Sequence, residues 1–207
     1  MQMRMLIQKV EVKFYNQKKK KMTNVRNYTT KQLLDRYKSL DTFQYVPKDI
    51  HLIFVRSNED ANDIPDDKAY VFKYETCIDV IPCTTNKGNK GTAVMLSNHI
   101  NYNAHRFGLH RKKMRALRQI KGIPYQRDFS VDGKTNPNGT IFRDIIFMNI
   151  HGMTYNEGSK IIAKKIGGWS EGCLAFADNE KYEKMIDMTE HQEAVTSVVL
   201  DEWTPNN

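Results

Sequence analysis

One cysteine in the sequence has neighbours that suit nucleophilic chemistry. Cys173 follows Gly172 in the segment WSEGCLAF, and a glycine lets the chain turn sharply, so that the N–H groups of Gly172 and Cys173 converge on one oxygen. A thiol becomes an effective nucleophile when a base takes its proton and backbone donors stabilise the oxyanion that its attack produces. Ser170 either supports the turn or donates to a substrate. The segment therefore predicts acyl-transfer chemistry with Cys173 as the nucleophile.

The candidate base for this thiol is His151. It ends the apolar run IFRDIIFMNI and precedes Gly152, a residue that permits close approach of a substrate or of a neighbouring loop. A Cys and a His so far apart in sequence form a weak motif by themselves, because most such pairs do not meet in the fold. The prediction therefore requires that the segments of His151 and Cys173 form adjacent strands.

The remaining histidines and cysteines give weaker signals. His105 and His110 are five positions apart, but no cysteine or carboxylate has a spacing that completes a metal site with them. We therefore predict neither a metal nor a cofactor. Cys77 and Cys83 lie in the strand-like segment CIDVIPC and are expected to be core or edge residues. Three cysteines are too few for a disulfide framework.

Short apolar runs separated by turn residues dominate the chain from residue 50 onward, among them IHLIFVR, AYVFKY, CIDVIP and AVML. They predict a mainly β fold with a few short helices, an α+β arrangement built on a small β-barrel or sandwich. The other predicted elements are a capped helix near 30–40, a short basic helix within 106–121, a buried strand over 141–152, a helix over Asn179–Met188 and a C-terminal strand over 194–200.

Charge divides the chain into two predicted parts. Its 207 residues have the size of one domain with an appendage, and the net charge of +8 comes from the first 40 residues, which include Lys18–Lys21. We predict a basic N-terminal arm over residues 1–28 and a catalytic domain over 29–207. The arm suits contact with an anionic polymer, namely nucleic acid, an anionic membrane or a cell-wall polymer, and a solvated leader is an equal alternative.

The sequence predicts neither a membrane span nor a Sec signal peptide. No apolar run reaches the roughly 18 residues that a spanning helix needs, and the N-terminal lysines follow the apolar residues instead of preceding them. With 40% hydrophobic residues the chain is expected to close a core of its own. These features predict a compact protein made in the cytoplasm.

The segment NIHG, a spacer and SEGCLAF together resemble the signature of the L,D-transpeptidase (YkuD-like) catalytic domain, in which a His-Gly pair precedes a Ser/Thr-x-Gly-Cys turn. Stretches such as TTNKGNKGTAVM are similar to blocks of these domains in bacteriophage endolysin-like proteins, and the resemblance covers roughly residues 50–180. It implies a mostly β fold and a cysteine that attacks a peptide carbonyl in peptidoglycan stem peptides. It also implies roles for five residues: Cys173 as nucleophile, His151 as base, Gly172 and Ser170 in the oxyanion turn, and the Gly152 carbonyl as orienter of the imidazole.

Two positions depart from the family pattern. Glu171 stands where the resemblance expects a histidine, and Ala175 stands where it expects an arginine or an asparagine. Loss of that arginine removes an anchor for a substrate carboxylate, so hydrolysis is favoured over cross-linking. Trp169 is expected to line the cleft or to stack on a sugar, with core packing as an equal alternative.

Two further side chains are candidates for contact with a substrate. Arg127, with Asp128 and Asp144, either shapes a substrate groove or forms an internal ion pair. Glu171, beside the cysteine turn, is the other. Neither residue carries a motif of its own, so both assignments depend on where the strands place them.

The sequence supports one leading hypothesis and two rivals. The leading hypothesis is a cysteine-dependent peptidoglycan-modifying enzyme, phage-encoded and lytic, that acts at the bacterial cell wall through an acyl-thioester. The first rival is a noncatalytic wall-binding or virion structural module on the same fold. The second is a nucleic-acid binder that uses the arm and residues 106–121, although that segment lacks the aromatic and glycine-rich patterns of such modules.

Overall fold

Strands form most of the molecule. The computed structural model describes residues 25–58, 63–86 and 89–205. In chain order its elements are α1 (Thr30–Lys38), β1 (Ile50–Arg56), β2 (Asp67–Lys73), β3 (Thr76–Thr84), β4 (Thr92–Met95), β5 (Asn101–His110), β6 (Met114–Gln119), β7 (Tyr125–Asp128), β8 (Ile150–Gly152), β9 (Leu174–Phe176), α2 (Asn179–Thr189) and β10 (Val195–Asp201).

Eight of these strands close into a barrel in the order β1-β10-β5-β6-β8-β9-β3-β2, and β4 pairs with β7 in a separate two-stranded sheet. Neighbouring strands are antiparallel except for β1 with β10 and β8 with β9, which are parallel. Closure leaves no unpaired sheet edge in the barrel. The mainly β prediction with a few short helices is confirmed, and of its two alternatives the barrel is the one that forms.

The core has two main layers. Inside the barrel, side chains such as Leu52, Phe54 and Phe176 pack together without exposure to solvent. On the outer side of β1 and β10, α1 covers a second cluster through Leu33 and Tyr37. Every residue of β1 is buried because one face points into the barrel and the other lies under this helix.

Both helices begin where local capping residues place them. Thr29 caps α1 with a complete capping box, because its hydroxyl accepts from the Gln32 N–H and the Gln32 side chain accepts from the Thr29 N–H. Asp178 caps α2 by accepting from the Lys181 N–H. The predicted helices near 30–40 and over Asn179–Met188 are confirmed, as is the C-terminal strand. Neither described helix has the length and apolarity needed to cross a bilayer.

The predicted basic helix within 106–121 is wrong, because this segment is the hairpin of β5 and β6. The apolar spacing of Met114 and Leu117 fits a helix, but Met114 and Ala116 also alternate as a strand requires. Leu109, which a helix would bury, is 48% exposed. Pairing with β8 and β10 on either side of the hairpin decides the outcome, because a strand here completes the barrel.

The predicted buried strand over 141–152 is also wrong over most of its length, since only Ile150–Gly152 is a strand. The preceding residues form an irregular segment with large exposed side chains, including Ile145 and Phe147, and Phe147 has a positive φ of +59°. The buried Gln119 side chain holds this segment, because its Oε1 accepts from the N–H groups of Ile146 and Met148 at 3.1 and 2.9 Å. A side chain thus satisfies backbone groups that a strand would have paired.

The described end of the basic arm lies against the barrel. Val25 and Tyr28 are buried, and the Tyr28 ring stacks on Trp203 with centroids 3.8 Å apart. The rest of the predicted arm, residues 1–24, lies outside the described residues. Cys83 is buried and Cys77 is half-buried, as expected of core and edge residues, and both are free thiols.

Candidate active site

Parallel pairing of β8 and β9 brings the predicted base and nucleophile together. His151 lies in β8, Cys173 directly precedes β9, and the register pairs Ile150 with Leu174. One ring nitrogen of His151 and the Cys173 Sγ lie within 4.8 Å of each other, together with a ring nitrogen of His110. The two adjacent strands required by the sequence prediction are therefore present.

The hydrogen bonds of His151 define where its proton lies. Its Nδ1 is 2.7 Å from the Gly152 carbonyl oxygen, which only accepts, so Nδ1 carries the hydrogen and Nε2 has the free lone pair. Nε2 is buried and has no hydrogen-bond partner within the described residues. Burial lowers the pKa of His151 to about 4, with smaller contributions in the same direction from His110 and Arg111. The imidazole is therefore a neutral base at neutral pH.

The thiol of Cys173 is also neutral at rest. Burial raises its pKa, while a backbone hydrogen bond from Asn149 and the charge of Arg111 oppose that rise. Its Sγ lies 3.5 Å from the Phe147 carbonyl oxygen. The resting pair is therefore a thiol beside an imidazole, and the proton has to move to His151 as the sulfur attacks.

Ser170 builds the turn before the cysteine. Its hydroxyl donates to the Cys173 carbonyl at 2.7 Å and accepts from the Gly172 N–H at 3.3 Å. Ser170 was expected either to support the turn or to donate to a substrate, and in this structure its hydroxyl supports the turn. Gly172 has a φ of +119°, and a Cβ there would lie 3.0 Å from the Ala93 carbonyl oxygen, so both backbone conformation and space require glycine. The Gly172 N–H is engaged within the turn in this state.

Gly152 permits close packing of a helix. A Cβ at this position would lie 2.9 Å from the Tyr182 ring and 3.1 Å from the Asn179 side chain, both on α2. The expected neighbour, a substrate or a loop, is wrong, because α2 occupies this position. This packing holds the Gly152 carbonyl beside the His151 ring, which is the orientation that the resemblance implies.

His110 is a site residue that sequence reasoning missed, since it was considered only with His105 as a weak metal pair. It ends β5, and its ring stacks on that of His151 with centroids 4.4 Å apart and planes 24° apart. His105 is fully buried elsewhere, with Nε2 3.0 Å from the Met148 carbonyl oxygen. No local motif marks His110, because only the pairing of β5, β6 and β8 brings it to the site.

An open cleft of about 460 Å³ is lined by His110 and Cys173, whereas His151 is fully buried and does not line it. Trp169 and Glu171 line it, and Trp169 also packs on Tyr155 with centroids 4.9 Å apart and against the buried cluster that contains Met153, so its cleft and core placements are both present. The cleft also carries three cationic side chains and several apolar ones. Its full lining is Leu109, His110, Arg111, Lys112, Arg118, Ile146, Phe147, Asn149, Trp169, Glu171 and Cys173.

Arg127 lies in a different hollow. Its guanidinium stacks over the Tyr125 ring at 5.4 Å and donates to the Gly91 carbonyl at 3.3 Å. Among the described residues it forms no ion pair, and Asp128 instead accepts from the Val131 and Gly133 N–H groups of the following loop. The structure therefore places this candidate substrate-binding residue outside the cleft of Cys173.

His110, His151 and Cys173 also have the types and proximity of metal ligands. One feature opposes coordination. The Asn149 amide nitrogen donates to His110 Nδ1 at 2.9 Å, so Nε2 of the neutral ring keeps its hydrogen, and a protonated nitrogen does not bind a metal. The cluster is therefore better arranged for proton transfer and hydrogen bonding than for a metal ion.

No protein-family model matches the sequence, and no curated protein is significantly similar to it. The protein is a small closed barrel in which a cysteine with a neighbouring histidine lies at an open cleft lined by cationic side chains. Any more specific function has to be argued from that geometry and from the short motifs.

Proposed function

We propose that the protein is a cysteine-dependent enzyme that acts on peptidoglycan stem peptides through an acyl-thioester, in the manner of the L,D-transpeptidase (YkuD-like) domains that its motifs resemble. One observation carries this proposal. The unprotonated Nε2 of buried His151 has no partner among the described residues, and the only thiol beside this ring, that of Cys173, opens into a cleft. Two other buried ring nitrogens, His51 Nε2 and His99 Nδ1, also have no partner among the described residues, so the neighbouring thiol and the cleft are what distinguish His151.

Cys173, His151 and Gly152 have different roles in the proposed reaction. His151 Nε2 takes the thiol proton as the Cys173 sulfur attacks the peptide carbonyl, and the carbonyl π electrons move onto the oxygen. Collapse of this tetrahedral intermediate breaks the C–N bond, and the leaving amine takes its proton from His151. The Gly152 carbonyl keeps Nδ1–H in place throughout. A water molecule or a second amine then releases the acyl group from the sulfur.

The charge of the cleft supports an anionic peptide as substrate. Arg111, Lys112 and Arg118 line it against the single carboxylate of Glu171, which lies 3.9 Å from Arg111 with both side chains largely exposed. An exposed pair at this distance contributes little and opens readily for a substrate carboxylate. Ala175 is fully buried beneath the site, so cations of the β5–β6 hairpin take the place of the arginine that the family pattern expects there.

The proposal extends to the acceptor and to the place of action. The cleft is open to solvent, which favours water as acceptor and hence peptide cleavage over cross-linking. A lytic, phage-encoded enzyme made in the host cytoplasm and acting at the bacterial wall fits this reaction. The finer fold assignment, a barrel of the L,D-transpeptidase type, belongs to the same proposal.

A noncatalytic wall-binding or virion module is the second candidate, and the raised pKa of the Cys173 thiol favours it. A thiol that stays protonated at neutral pH is a poor nucleophile unless a base assists it. The two candidates predict the same cleft and the same binding of wall fragments. They differ in whether covalent bonds in peptidoglycan change.

Mass spectrometry of purified peptidoglycan after incubation tests the proposal. We expect the wild-type protein to release stem-peptide fragments and Cys173→Ala to release none, while circular dichroism of the variant stays unchanged. Cys77→Ala is the matched control, because Cys77 is a half-buried free thiol on β3, away from the cleft. Fragment release by Cys173→Ala at the wild-type rate would contradict the proposal.

A further inference from the structure

We propose that His110 is a second catalytic histidine, which donates its Nε2–H to the oxyanion formed when Cys173 attacks a carbonyl. This inference rests on the proposed function and deepens it. The resemblance gives this residue no role, because His110 lies on β5, far in sequence from both motifs.

A chain of hydrogen bonds sets the tautomer of His110. The backbone N–H of Gln119 donates to Asn149 Oδ1 at 3.0 Å, which fixes the orientation of that amide. The Asn149 Nδ2 then donates to His110 Nδ1 at 2.9 Å. A nitrogen that accepts a hydrogen bond carries no hydrogen, so the single ring hydrogen of neutral His110 lies on Nε2. Asn149 is 4% exposed, which shields this arrangement from solvent.

The position of the ring suits an oxyanion between it and the sulfur. A ring nitrogen of His110 lies within 4.8 Å of Sγ, and stacking on His151 fixes the ring plane. Within the described residues no hydrogen bond joins His110 to the thiol, whose polar neighbours are the Phe147 carbonyl and the Asn149 backbone N–H. A separation of at most 4.8 Å brings an oxygen that forms beside the sulfur within hydrogen-bonding reach of this ring, about 3 Å.

The turn before the cysteine leaves a need for such a donor. Gly172 N–H, one of the two backbone donors expected for the oxyanion, donates to Ser170 Oγ at 3.3 Å instead. The Ala93 backbone packs against Gly172 and restricts how the turn can move. Without His110, the Cys173 N–H would be the single remaining donor of the two that the sequence predicts for the oxyanion.

In the proposed step His110 neither gains nor loses a proton. The thiol proton moves to His151, the S–C bond forms, and the electron pair of the carbonyl π bond becomes the oxyanion lone pair that accepts from His110 Nε2–H. When the C–N bond breaks, that pair re-forms the carbonyl and the proton on His151 leaves with the amine. Burial and the charge of Arg111 lower the pKa of His110, which keeps the ring in the neutral form with one fixed donor.

Three substitutions at His110 test the inference by peptidoglycan cleavage kinetics of the full chain. Removal of one oxyanion donor typically lowers kcat about 100- to 1000-fold, and we expect this loss for His110→Ala. His110→Gln places an amide N–H near the position of Nε2 and should keep kcat within about tenfold of wild type. His110→Asn is the matched control, because its shorter amide reproduces only the Nδ1 position. Equal kcat for the Gln and Asn variants would overturn the inference.

Asn149→Asp supplies a second test, because its pH profile would not change if His110 had only a structural role. The carboxylate still accepts from the Gln119 N–H but reverses the His110 tautomer, because it also accepts from Nδ1–H. In this variant only the protonated ring of His110 has a hydrogen on Nε2. We therefore expect kcat to fall as pH rises through the raised pKa of His110, a decrease that the wild-type pH profile does not show. The titratable and charged groups around this ring are His151, Cys173, Arg111, Lys112, Arg118 and Glu171.

The two proposals fail in different ways. If Cys173→Ala is inactive while His110→Ala keeps wild-type kcat, the role of His110 is refuted and the cysteine mechanism stands. If Cys173→Ala keeps full activity, both are refuted. A pH profile of Asn149→Asp that matches wild type would also refute the donor role.

Discussion

Burial of Cys173 and His151 determines the protonation state from which the proposed reaction would start. His151 is fully buried in β8, Cys173 is half-buried where it lines the cleft, and burial favours the neutral form of each. General-base assistance from His151 is the consequence, in contrast to a preformed thiolate. The proton moves only when a carbonyl is in place to receive the sulfur.

The pH profile of peptidoglycan cleavage tests this protonation state. The base form of His151 is active, so activity should be present above its pKa and lost as pH falls through about 4. We expect kcat/KM to stay nearly constant between pH 7 and pH 5. A profile that already loses half its activity near pH 6.5, the ordinary value for histidine, would contradict the neutral buried base.

At this scale the motif predicts part of the site. Cys173, His151 and Ser170 lie at the strand ends and in the turn that their local sequence indicates, because each lies within a few residues of the strand end that positions it. His110 and Asn149 come together only when three strands pair in a particular register. A single sequence contains no signal for that register, so neither residue could be found beforehand.

The cysteine turn constrains its glycine both through backbone conformation and through space. Gly172→Ala would add a Cβ 3.0 Å from the Ala93 carbonyl oxygen at a φ of +119°, so we expect a loss of about 1–3 kcal/mol in the free energy of unfolding. Denaturant unfolding of the variant measures it. Gly158→Ala is the control, because Gly158 also has positive φ, +73°, but a Cβ there meets nothing within 4 Å. Equal losses for both variants would contradict the steric argument.

The turn of the β5–β6 hairpin has cationic residues at positions where their backbone conformation lowers stability. Arg111 and Lys112 occupy its two central turn positions with φ of +50° and +59°, where Asn-Gly is the favoured pair. We expect the double substitution Arg111→Asn and Lys112→Gly to stabilise the protein by about 1 kcal/mol and to raise KM for anionic stem peptides. Thermal unfolding and cleavage kinetics measure the two effects. A more stable variant with unchanged KM would show that these cations do not bind substrate.

The hairpin also shows why the helix prediction failed. Its basic residues leave no strong preference for either element, and the apolar residues between Met114 and Leu117 fit both periods. The barrel needs two strands between β10 and β8, and that long-range requirement decides the local structure. β1, α1 and α2 were predicted correctly because their patterns and caps are unambiguous within their own segments.

The whole molecule contains three fully buried histidines, His51, His105 and His151, and burial lowers the pKa of each to about 4. The unfolded chain binds protons at these positions near pH 6.5, whereas the folded protein does not until about pH 4. The free energy of unfolding should therefore fall as pH drops from 6.5 to 4, by up to about 3 kcal/mol for each histidine.

Urea unfolding at a series of pH values measures this dependence. Substitution of His105 by Gln should flatten the slope between pH 6.5 and 4, because one of the three buried groups no longer takes up a proton on unfolding. His191→Gln is the control, since His191 is exposed. A stability that does not change over this range would contradict the burial of neutral imidazoles.

The closed barrel matters to the proposed function because it fixes the strand ends that hold the site. Of the whole fold, the β-rich class was predictable from the alternation of short apolar runs and turns, but the strand order was not, because each pairing depends on residues far apart in sequence. The site likewise has a part that the sequence predicts and a part that depends on the strand order. Its local motifs could be read from the sequence, whereas the cations and the second histidine of its cleft depend on the closed barrel.

Peptide mapping of the protein after acid quench of its reaction with soluble stem peptides tests the central claim most directly. The account predicts an acyl group of stem-peptide mass on the Cys173 sulfur, absent from Cys173→Ser and from protein that never met the substrate. Cleavage of the same peptides by Cys173→Ser at the wild-type rate, or an acyl group attached to any other residue, would contradict it.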